Sequence, residues 1–80
     1  MPESDQIIIG RTDSPIPTDW DVRLSVFLHG ARFDFAACLT AALAFIEEWR
    51  HTPYFDAVDL CFDGAETLPR LPNERLYLEP

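Results

Sequence analysis

Along the stretch "WDVRLSVFLHG", Trp20, Val22, Leu24, Val26 and Leu28 alternate with Asp21, Arg23, Ser25, Phe27 and His29. A period of two belongs to a half-buried strand, so the segment is predicted to be a strand with its even residues inward. "DAVDLCF" repeats the pattern, with Val58, Leu60 and Phe62 inward against Ala57, Asp59 and Cys61. Between these stretches the period changes. Phe35, Cys38, Leu39, Ala42, Leu43, Ile46 and Trp49 recur at spacings of three and four, the apolar stripe of a helix over residues 35–51. Asp34 is placed to cap its first turn. Arg50 and His51 suit the negative end of its dipole, and Pro53 stops it.

The rest of the chain is read from its punctuation. After a frayed start at residues 1–5, "DQIIIG" reads as a short first strand, and "RTDSPIPTD" as loop because proline cannot donate to a sheet ladder. Gly30-Ala31 forms a tight turn, and "RFDF" returns briefly as a strand. "DGAE" is a turn, and "RLYLE" in the proline-broken tail adds an edge strand. The expected architecture is α+β: a small, mostly antiparallel sheet of three to four strands with one helix packed on one face. The even residues of the second strand, with Val58, Leu60 and Phe62, meet the helix stripe in one core. The opposite face carries Arg23, Ser25, His29, Asp59 and Cys61 and is expected to be wet.

Length bears this out as a single domain, residues 1–80, near the lower limit of what folds without staples. An apolar fraction of 48% with ten aromatic residues supplies a core. The start "MPESDQ" lacks the basic-then-apolar order of a secretory signal. The longest nearly apolar stretch, "FDFAACLTAALAFI", is too short to span a bilayer and is interrupted by Asp34. A cytoplasmic protein is expected.

Charge changes the picture more. Fourteen acidic residues face six arginines, and there is no lysine. Residues 1–21 carry a net −4, residues 22–52 are neutral, and residues 53–80 carry a net −4. Direct nucleic-acid binding is disfavoured, since phosphate contacts need clustered Arg or Lys, and an acidic membrane surface would repel the chain. A partner guided by charge is basic.

The run "YFDAVDLCFDGAET" spaces Asp56, Asp59, Asp63 and Glu66 three, four and three apart. Read as a calcium loop from Asp59, it has Cys61 where an oxygen ligand belongs and Arg70 where the closing glutamate belongs. In a strand, Asp56 and Asp59 also point to opposite faces, so the four carboxylates do not converge on an ion. Cys38 and Cys61 lack the spacing of a zinc site, and read as reduced thiols. His29 and His51 have no Ser, Cys or Asp partner legible in sequence. No enzyme activity, cofactor or metal is expected. Phe27 on a polar parity, and the small outer residues Ala37, Ala41 and Ala44, are expected to form a self-association surface and a homodimer.

In size, acidity and lack of motifs the chain resembles the small phage-encoded inhibitors, and among them the anti-CRISPR proteins. The resemblance is one of format; that class shares no sequence motif and hands over no functional residue. Several of its acidic members are similar to DNA in charge and occupy the nucleic-acid channel of a CRISPR effector complex. By that analogy Asp13, Asp19, Asp21, Asp56, Asp59, Asp63 and Glu66 stand in for phosphates as a DNA mimic. An immunity protein or antitoxin capping a basic toxin predicts the same surface.

Overall fold

A computed structural model of the chain describes residues 9–52 and 54–78. It is the expected α+β fold. Strand β1 (Asp21–Leu28) pairs antiparallel with β2 (Ala31–Cys38) on one side and with β3 (Ala57–Cys61) on the other, giving the order β2-β1-β3. Helix α1 (Leu39–His51) follows β2 directly, and a 3₁₀ turn (Glu74–Tyr77) ends the described chain.

β1 is the centre of the sheet, and its alternation is obeyed on the core side. Val22 and Leu24 are fully buried and Val26 nearly so, while Trp20, just ahead of the strand, is exposed. The β1–β2 hairpin closes on Leu28↔Ala31, with His29 (φ 52°) and Gly30 (φ 82°) both left-handed. That two-residue turn matches the twist of the flanking strands. The Asp56 carboxylate accepts from the His29 backbone N–H at 2.8 Å, and the Asp56 N–H donates to the Phe27 carbonyl at 2.8 Å. The reversal is thereby tied to the segment entering β3.

The "RFDF" return is a full strand of eight residues, and the helix starts four residues later than expected. Asp34 is therefore no helix cap. It lies within β2 opposite Ser25, where its Oδ1 accepts from Ser25 Oγ at 2.7 Å and Arg32 Nε at 2.8 Å. The helix start is satisfied from elsewhere in the chain. Asp19 accepts from the Thr40 N–H and hydroxyl at 2.9 and 2.8 Å, and the Leu39 N–H donates to the Trp20 carbonyl at 2.7 Å. The far end behaves as expected up to His51; Pro53 lies outside the described residues.

The helix is also turned about its axis relative to the expected stripe. Ala41, Ala42 and Phe45 face inward, whereas Leu43 is 55% exposed. Phe45 sets this orientation: its ring stacks on Phe55 at 5.9 Å and meets the Tyr77 ring edge-on at 5.4 Å. The alanines beside it let the helix lie close to the sheet.

Three further expectations are corrected. Phe62 is 60% exposed, because β3 ends at Cys61 and the chain bends away toward Gly64 (φ 93°). Of the "RLYLE" edge strand, Arg75, Leu76 and Tyr77 instead lie in the 3₁₀ turn, with Tyr77 drawn onto Phe45, and residue 79 lies outside the described residues. The face opposite the helix is wet only in part. Ser25, flanked by Asp34 and Asp59 on the neighbouring strands, is 2% exposed, and Ala36 is fully buried. Of the "DQIIIG" strand, residues 5–8 lie outside the described residues, as does the frayed start; Ile9 and Gly10 form a loop, both N–H groups donating to the Pro17 carbonyl.

Candidate functional site

Two polar features compete for the role of site. The first is an internal network that joins the two acidic ends of the chain. Arg70 donates from Nη1 and Nη2 to the two Asp21 carboxylate oxygens at 2.9 and 3.0 Å. It also donates to both Glu74 oxygens, at 3.0 Å from Nε and 2.6 Å from Nη2. The Asp21 and Glu74 side chains are only 7% and 5% exposed, so these are desolvated charges with every fork occupied. Glu74 Oε2 accepts the Cys38 N–H at 2.7 Å, and the Arg11 N–H donates to Asp21 at 2.8 Å. Arg11 Nη1 donates to the Ala65 and Leu68 carbonyls. The network binds the loop before β1, the end of β2 and the tail.

Its titration follows from that geometry. Burial works to raise the Asp21 pKa, but the hydrogen bonds from Arg70 and Arg11 outweigh it and hold the carboxyl below its ordinary value. Burial likewise opposes the Arg70 charge, and Glu74 and Asp21 overcome it, holding the guanidinium charged. The Cys38 thiol is pushed up to about 11 by burial, with the Glu74 charge adding to the effect. The shifts at Asp21, Arg70 and Cys38 all lead away from neutrality, and no Ser, Thr or Cys lines the clefts beside Asp21, Arg70 and Glu74. The network is architectural.

The second feature is the exposed acidity. Asp59 stands on the face of β3 away from the helix, Asp63 and Glu66 follow in the next turns, and all three are exposed. Among the described residues they take part in no ion pair. Asp56 is exposed beside them but is engaged by His29. The other expected contact residues stand apart from this group. Asp13 pairs with Arg11 at 2.7 Å and approaches Arg70 at 3.6 Å. Asp19 caps the helix, and Asp21 is buried against Arg70, which removes it from any exposed phosphate-like row.

The expected self-association face is not an outer face. Ala37 lies within β2 and, like Ala41, is fully buried, while Ala44 is half-buried. Phe27 is half-buried on the face opposite the helix, with the Arg32 guanidinium 6.0 Å from its ring centre. Of the two cysteines, Cys38 is buried and Cys61 half-buried, both as free thiols. His29 occupies the hairpin turn and His51 reaches Glu47 at 3.0 Å on the helix surface.

Among the described residues no group of three or more His, Cys, Asp or Glu is gathered as a metal would require, and no helix is long and apolar enough to cross a membrane. A shallow apolar groove of about 260 Å³ lies over β1 and β2 between the middle of the helix and the tail, lined by Phe33, Phe35, Phe45, Phe55, Leu71 and Tyr77 among others. Tyr77 is its one titratable side chain, and burial with the nearby Glu48 charge raises its pKa.

Arg70 and Glu74 escaped the sequence reading. Their four-residue spacing was a signal, but the Asp21 partner, 49 positions away from Arg70, was not. No protein-family model, curated protein or solved structure matches this chain.

Proposed function

We propose that the protein is a small acidic inhibitor that binds a basic, nucleic-acid-handling protein. In its most specific form it is an anti-CRISPR protein, acting in the cytoplasm by occupying the DNA-binding surface of a CRISPR effector complex. The supporting observation is the uneven use of charge. Arg11, Arg32, Arg50 and Arg70 are each tied to carboxylates, while Asp59, Asp63 and Glu66 stand exposed outside any ion pair among the described residues. A basic channel would meet an unpaired acidic strip at the β3 edge.

The test is competition. Target-DNA binding by purified CRISPR effector complexes is measured with increasing amounts of the protein, at low and high salt. Displacement of DNA that weakens with salt, and is lost in the D59K/D63K/E66K variant, is the expected result. Each exchange shifts the charge by two, so the three take the net from −8 to −2. Asp56 is left intact because it holds the hairpin turn. Failure to displace DNA from any effector, or equal inhibition by the variant, removes this reading. Protection against a basic toxin in place of DNA displacement would establish the immunity-protein alternative.

A further inference from the structure

The edge of β2 is used over half its length. The Ala36 N–H donates to the Pro69 carbonyl and the Ala36 carbonyl accepts from the Leu71 N–H, both at 2.8 Å, in a one-residue parallel bridge to Arg70. The Cys38 N–H is taken by Glu74. Alternate residues of a strand direct their backbone groups to the same side, so the N–H and C=O groups of Arg32 and Asp34 face this edge too. The ladder cannot continue to them along the tail. Its next bond, to the Asp34 carbonyl, would need an N–H from residue 69, which is proline. Among the described residues nothing bonds the backbone of Arg32 or Asp34 on this side.

We propose that this open half of β2 pairs antiparallel with the same half of a second copy, joining two sheets into one of six strands. One register is self-complementary. With Phe33 on the two-fold axis, Arg32 faces Asp34 of the second copy and Asp34 faces its Arg32, each pair exchanging both backbone hydrogen bonds. The side chains then form an alternating quartet of charges, since Arg32 and Asp34 are already joined at 2.8 Å on one face of the strand. On the other face, Phe33, 47% exposed in the single chain, meets its symmetry mate.

The neighbouring registers fail on charge or space. A shift one way sets Arg32 against Arg32. A shift the other way sets Asp34 against Asp34 and drives Arg32 onto Ala36, whose edge the tail holds. In the favoured register the strip ends where Gly30 nears Ala36 of the second copy. The tail holds the Ala36 edge in both copies, so the pairing is confined to residues 32–34, and Gly30 brings no side chain to the hairpin tip that passes it. The β2 edge and the acidic strip at β3 lie on opposite sides of the sheet, so pairing leaves the proposed inhibitor surface open.

Analytical ultracentrifugation of the full chain tests the assignment. A reversible monomer–dimer equilibrium is expected, because one strand edge and one aromatic pair make a small contact. R32D and D34R should each be monomeric with unchanged circular dichroism, since each sets like charges opposite one another. Mixed in equal amounts they should form a heterodimer, and the R32D/D34R double variant, with net charge unchanged, should recover the homodimer. A wild-type chain that stays monomeric at the highest soluble concentration would overturn the proposal. So would a dimer that both single variants retain, or a mixture of the two that shows no heterodimer.

Discussion

Arg70 is the residue on which the two ends of the chain depend. Its guanidinium pairs with both Asp21 and Glu74, whose side chains are 7% and 5% exposed. Removing one member of such a group strands charge without water or a counter-ion, so Arg70→Met should destabilise the fold by about 3–5 kcal/mol. The exposed pair Arg32–Asp34 offers the contrast: Arg32→Met should leave the urea midpoint nearly unchanged, because solvent screens that pair. The network also sets a dependence on pH. The folded Asp21 pKa lies below its ordinary 3.8, so the unfolded chain binds the proton more readily. Its contribution is present above that ordinary value and is lost as pH falls through the depressed one. Wild-type stability should therefore decline on acidification below about pH 4, and the Asp21 part of that slope should flatten in Arg70→Met. A second residue-scale outcome concerns thiols. Cys38 is fully buried with its pKa pushed up to about 11, so an aromatic disulfide reagent at neutral pH should titrate Cys61 alone until urea is added. Two fast-reacting thiols in the native protein would contradict this packing.

The helix shows how an element can be recognised while its start and orientation escape. Its start depends on Asp19, 21 positions before Thr40, and no local pattern signals a cap supplied at that distance. Asp19→Ala should cost about 0.5–2 kcal/mol and speed hydrogen exchange at the Thr40 amide. Asp34→Ala should leave first-turn exchange unchanged, although it strips Ser25 of its partner. The reverse pattern would restore Asp34 as the cap. What sequence carried well was local: β1 and its buried even residues, the helix end at His51, and the existence of β3. Alternation reports a strand directly, because each residue's face depends only on its own parity. Orientation of the helix was less legible, since Ala41 and Leu43 are both apolar and the choice fell to Phe45 finding Phe55 and Tyr77. The candidate site was legible only as exposed acidity. Asp21 looked equivalent to Asp59 in composition, yet a distant arginine took it inside.

At the scale of the whole molecule the chain carries a net −8 over 80 residues, and the Arg70 network, one arginine against two carboxylates, holds only −1 of it. Exposed charges repel across distances comparable to the screening length, about 10 Å at 0.1 M salt. Exposed pairs such as Arg11–Asp13 and Arg32–Asp34 are weakened by the same screening, but solvent already leaves each of them a small contribution. The desolvated Arg70 network is screened far less. Relief of repulsion should therefore prevail, and the thermal midpoint should rise between low and moderate salt. D59K/D63K/E66K, at a net −2, should lose most of that rise. A wild-type midpoint that falls with salt would mean the ion pairs outweigh the repulsion. The acidic strip would then be no store of unfavourable charge for a basic partner to relieve. If the midpoint rises as argued, the salt that stabilises the free protein should weaken its complex, because partner and salt act on the same unpaired carboxylates.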